Sequence, residues 1–69
     1  MEKGWIIAYT TRQAYQAEIF KQVLSDHEIQ AQIINKMDST YQSFGEIEVY
    51  VHHTQFLKAK MLVEEFEAN

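Results

Sequence analysis

The order of hydrophobic periods along the chain predicts an α+β domain, a two-layer sandwich of three strands and two helices. Three observations carry this. "EIEVYV" alternates apolar and polar residues with the period of two that marks a half-wet strand. Two other stretches, one before it and one after, repeat apolar residues at the three-to-four spacing of an amphipathic helix. No proline interrupts any of these stretches.

The elements follow in order. "GWIIAY", Gly4 to Tyr9, is short, apolar and rich in aromatic and β-branched residues, so it reads as the first strand. Thr10 or Thr11 then offers a hydroxyl to cap a helix. From Arg12 to Asp26 the apolar stripe is Ala14, Ala17, Phe20, Val23 and Leu24. That helix is expected to end near His27, with Glu28 where a glycine often terminates one. "IQAQII", Ile29 to Ile34, alternates as the second strand, with Ile29, Ala31 and Ile33 on one face. In the third strand, Glu46 to Val51, Ile47, Val49 and Val51 face one way and Glu46, Glu48 and Tyr50 the other. His53 or Thr54 is expected to cap a second helix running to about Glu67, with Phe56, Ala59, Leu62, Val63 and Phe66 as its stripe. Glu64, Glu65 and Glu67 oppose the dipole at its end, which favours fraying there.

The order is therefore β-α-β-β-α. The first two strands are joined through a helix, and such crossovers are almost always right-handed, which puts both helices on one face of the sheet. The third strand fits between the first two, antiparallel to both, giving the order 1-3-2. This is a ferredoxin-like layout lacking its last strand, and it leaves the first strand at an edge. Unpaired edges invite another chain.

Sixty-nine residues make one domain, 1–69. A chain of this size buries only about 60 % of the surface its unfolded form exposes, so a second subunit would add stability, and a homodimer is expected. There is no cysteine, which excludes disulfides and thiolate metal sites. The apolar run near the N-terminus spans only Trp5 to Tyr9, short of a signal-peptide core or a membrane span, so a cytoplasmic location is the default expectation and no membrane partner is expected. The net charge is -4 and the six basic residues are scattered. Nucleic acid is not expected as a partner, because phosphate binding draws on clustered Lys and Arg.

Two surfaces stand out as candidate sites. The open sheet face should carry Gln30, Gln32 and Ile34 with Glu48 and Tyr50. The first strand adds either Trp5, Ile7 and Tyr9 or Ile6 and Ala8, and periodicity does not decide, since both sets are apolar. Uncovered apolar area of this kind marks an interface, and Glu46 and Glu48 there disfavour RNA. Trp5, Ile34 and Tyr50 are the expected contacts. The second surface is the connection between the second and third strands, about twice hairpin length. Tyr41 and Phe44 there offer apolar contact, or they cap one end of the core, with Gly45 supplying a backbone shape other residues resist.

Histidine chemistry is weaker. His52 and His53 are adjacent, which in a strand puts them on opposite faces, and His27 has no fixed distance to them. No metal site, cofactor or catalytic residue is assigned. The two glycines are far apart, so there is no phosphate-cradling loop, and the serines lack a recognisable His–Asp arrangement.

"QAEIFKQVLSDHEIQAQIIN", then "DSTYQSFGEIEVYV", then a short second helix resemble a family of small bacterial domains of unknown function, described as prokaryotic signal-transducing proteins. The resemblance covers nearly the whole chain. It implies a ferredoxin-like fold akin to the PII-type nitrogen regulators. The family usually has a glycine where this chain has Glu28. It supplies no catalytic or ligand-binding residue to carry over. The expectation is a non-enzymatic regulatory or protein-interaction module acting through the open face and the long loop. The alternative, implied by the PII likeness, is a small-molecule sensor of metabolites or nucleotides.

Overall fold

A computed structural model of the chain describes residues 3–37 and 45–68. The elements are β1 (Trp5–Thr11), α1 (Ala14–Asp26), β2 (Ala31–Asn35), β3 (Ile47–His52), a 3-10 turn (His53–Gln55) and α2 (Phe56–Ala68). The sheet is three-stranded and antiparallel in the order β1-β3-β2. This is the expected α+β architecture.

The core forms where the two helical stripes meet one side of the sheet. Phe20 and Leu24 of α1, Ala59, Leu62 and Val63 of α2, and Ile47, Val49 and Val51 of β3 are all buried. Val23, Phe56 and Phe66 pack against that cluster. Ala14, expected in the α1 stripe, is exposed, because the helix begins at Ala14 and its first turn lies beyond the sheet-facing stripe. α1 packs mainly on β2, and α2 on β1. The backbone is only 15 Å thick along its shortest axis, which is one helix layer on one sheet.

Several boundaries differ from the sequence expectation, each for a local reason. β1 runs on to Thr11, so both threonines lie in the strand. Gln13 is the residue that opens α1, and it makes no side-chain cap. The Thr11 hydroxyl still accepts from the Gln13 N–H at 3.1 Å and donates to Gln16 Oε1 at 3.1 Å. α2 is capped by neither His53 nor Thr54. His52 Nδ1 accepts from the Thr54 N–H at 3.3 Å and opens a 3-10 turn ahead of the helix. α2 reaches Ala68 despite its terminal glutamates. Phe66 holds that end, with its ring 5.7 Å from Tyr9 and 5.2 Å from Phe20. Each such aromatic contact adds about 0.5–1.5 kcal/mol beyond area burial.

The end of α1 shows how the chain manages without a glycine. Glu28 adopts a left-handed φ of 62°. Its N–H donates to the Ser25 carbonyl at 2.9 Å, and the Ile29 N–H to the Leu24 carbonyl at 2.9 Å. This double bond pattern is a Schellman cap. Ile29 and Leu24 are both buried in the core, which supplies the apolar contact that accompanies such a cap. The left-handed shape costs a non-glycine residue about 1–2 kcal/mol, and the cap with its buried clasp holds it in place.

Gly45 is needed for a different reason from the one expected. A Cβ there would sit 2.3 Å from the Lys36 carbonyl oxygen, so close backbone approach is what excludes other residues. Beside it the Lys36 N–H donates to the Glu46 carbonyl at 3.2 Å, extending the β2–β3 ladder.

Candidate functional site

β1 decides what the open face looks like, and it does so through a bulge. Trp5 pairs with His52 and Ile7 with Tyr50, but Tyr9 pairs with Val49, so Ala8 is an extra residue. The bulge shifts the alternation by one. Trp5 and Ile7 therefore face away from the helices, whereas Tyr9 turns into the core, 4.9 Å from the Phe20 ring. Neither of the two faces considered from periodicity is realised whole: Thr10, not Tyr9, follows Ile7 on the open side. The run "IIAY" has no polar residue to mark the phase, so nothing in its pattern could reveal the bulge.

The open face is a grid of three rows. Trp5 and His52 form the first, Ile7, Tyr50 and Gln32 the second, and Thr10, Glu48 and Ile34 the third. The structure thus brings Trp5, Tyr50 and Ile34 onto one face, along its diagonal. None is fully exposed, since each leans on its neighbours. The Trp5 ring meets His52 edge-on at 6.0 Å. Ile7 is 39 % exposed. Tyr41 and Phe44, the second pair of expected contacts, lie outside the described residues.

A polar network crosses the third row. Lys36 Nζ sits 3.2 Å from Glu48 Oε1, and the Tyr50 hydroxyl donates to the same oxygen at 2.9 Å. The hydrogen bond to the Glu48 carboxylate, helped by the carboxylate's charge, holds the Tyr50 phenol above its ordinary value of 10.0.

The histidines are placed otherwise than a continuous strand would place them. β3 ends at His52 and the turn begins at His53, so the two rings lie against each other, with centroids 4.5 Å apart. His27 is at the far end of α1, where its Nδ1–H donates to the Val23 carbonyl at 2.9 Å. Among the described residues no three His, Cys, Asp or Glu side chains group to hold a metal ion. Gly4, at φ 93°, accepts the His53 N–H at 2.7 Å, and a Cβ on it would meet both imidazoles at 3.1 Å.

One feature lay outside the sequence reading. β2 is also an edge strand, and a groove of about 770 Å³ runs beside it. Lys21 and Ser25 of α1 form one wall, residues 28–33 the floor, and Trp5 the far rim. The order 1-3-2 already implies that second edge, because among the described residues only the middle strand has neighbours on both flanks.

Among the described residues no helix is long and apolar enough to cross a membrane. No curated protein and no solved structure matches the chain. A family model described as "Putative prokaryotic signal transducing protein" matches residues 5–67. With residues 5–67 matched, nearly its whole length, the chain belongs to that family.

Proposed function

We propose that the protein is a non-enzymatic regulatory module that works by binding protein, its own copies included, through the open face of the sheet. The observation that carries this reading is the Trp5–Tyr50–Ile34 diagonal, which sits on the side of the sheet away from both helices. A two-layer fold covers one face only, and an aromatic-bearing face left outside it is suited to a partner. The Lys36–Glu48–Tyr50 network supplies oriented polar groups at its margin. The family description, signal transduction, agrees with a module of this kind.

The test is a capture experiment with the immobilised chain, comparing the native protein with Tyr50→Glu. Tyr50 is only partly buried, so the variant keeps its fold by circular dichroism, and its partners should be lost. Equal capture by both chains would overturn the reading.

A further inference from the structure

We infer that the free edge of β2 is where two copies of the chain join, antiparallel and centred on Gln32, into one six-stranded sheet. This rests on the self-binding part of the reading above and names the surface that would carry it.

The backbone of β2 is presented for such pairing. In an antiparallel ladder, hydrogen-bonded pairs alternate with non-bonded ones. The Lys36 N–H donates inward to Glu46, and the β2–β3 register continues unbroken through Ile34–Glu48 and Gln32–Tyr50. Even-numbered residues therefore spend their N–H and C=O on β3. Ala31, Ile33 and Asn35 direct theirs outward, away from β3, and Ala31 and Ile33 line the groove beside the strand. Unlike β1, this edge has no bulge to spoil a flat approach.

The side chains say which occupant fits. Exposed Glu28 lies at one end of the edge, beside Trp5 and Gln30, and exposed Lys36 at the other. An antiparallel copy reverses that polarity. With Gln32 facing Gln32 of the second copy, Glu28 of each chain meets Lys36 of the other, twice by symmetry. Gln30 meets Ile34 on the open face. Ala31 meets Ile33 on the helix side, small opposite large. The Ala31–Ile33 pairs are the hydrogen-bonding ones and close four backbone bonds. Lys36 already touches Glu48, but its ammonium has three donors and its side chain is 53 % exposed. Lys21 lines the same groove on the helix side. The joint sets the two open faces side by side. Strands this short make a small interface, at the lower end of specific ones, so the association should depend on concentration.

Single-cysteine crosslinking tests the geometry, because the chain has no cysteine of its own. A Gln32 pair would be of the non-hydrogen-bonded kind, with Cα atoms about 4.5 Å apart, within the roughly 4.4–6.8 Å span of a disulfide. Gln32→Cys should form a linked dimer under mild oxidation, and Thr10→Cys on β1 should not. Charge supplies the second arm. Glu28→Lys and Lys36→Glu each set like charges against one another in their own homodimers. An equimolar mixture sets opposite charges together twice and should associate about tenfold more tightly than either variant alone, measured by analytical ultracentrifugation. Linking through Thr10→Cys and not Gln32→Cys, or a mixture no tighter than its components, would overturn this edge while leaving self-association standing. A strictly monomeric mass at high micromolar concentration would overturn both, and partner binding by the open face would still be judged by Tyr50→Glu.

Discussion

The two edges of this sheet are built differently. β1 has seven residues, a bulge at Ala8, and an aromatic residue turned inward just past that bulge. β2 has five residues in unbroken register, capped at its head by a strained glutamate. The bulge does two jobs. It spoils the flat row of donors and acceptors along β1, and it swings Tyr9 onto Phe20 and Phe66. β2 has no such distortion. A straight edge is either a hazard or an interface, and the opposite charges at its two ends favour the second. Edges of one sheet can thus carry opposite instructions, and each must be read from its own register.

The largest expected effect probes the β1 side. Tyr9→Ala removes the ring that the bulge turns inward, and should cost about 3 kcal/mol, read by chemical denaturation. A loss below 1 kcal/mol would show that the bulge is not anchored by that ring. Next, two neighbouring prolines in β2 should behave oppositely. Gln32→Pro deletes an N–H spent on β3 and should cost about 3 kcal/mol. Ala31→Pro deletes an outward N–H, so it should cost far less and still abolish association. Similar losses from both would refute the assigned direction of these groups.

Glu28→Gly gives a smaller change with two signs. It relieves the left-handed strain and should raise stability by about 1 kcal/mol, or roughly 4–8 °C in melting temperature for a domain this small. It also removes the charge that would face Lys36 of a second copy, so dimerisation should weaken as the monomer gains. A variant that stabilises both would separate Glu28 from the joint.

The smallest effect is a titration. Tyr50 is held above 10.0 by Glu48. A raised folded value means the stabilising contribution is fully present below pH 10.0 and is lost as pH rises through the higher folded value. Ultraviolet difference spectra should show Tyr50 ionising late, and Glu48→Gln should move its transition to lower pH. If the variant leaves that curve unmoved, the carboxylate is not the cause.

How legible all this was depends on whether a segment mixes polar with apolar residues. "EIEVYV" does, and Ile47, Val49 and Val51 face the core as their alternation predicts. The α2 stripe is equally plain, since lysines and glutamates separate its apolar positions. "WIIAY" offers no contrast, and the phase change at Ala8 costs no hydrophobicity, so it leaves no trace in the pattern. The cap at His52 was hidden because imidazole is not among the usual capping groups. On the open face Ile34 and Tyr50 were legible once the alternation of β2 and β3 was combined with the strand order, whereas the apolar run of β1 left the face of Trp5 undecided. The β2 groove was not, because it depends on how α1 overhangs that strand.

The strand order has a consequence for synthesis. β1 and β2 both hydrogen-bond to β3 and not to each other, yet β3 is the last of the three in the chain. While the nascent polypeptide leaves the ribosome, the described residues ahead of β3 can form little beyond α1, because their ladders close only once Ile47–His52 emerges. The sheet should then zip on both flanks in one step, after translation of its middle strand, and the paired amides of that strand should be among the slowest to exchange with heavy water.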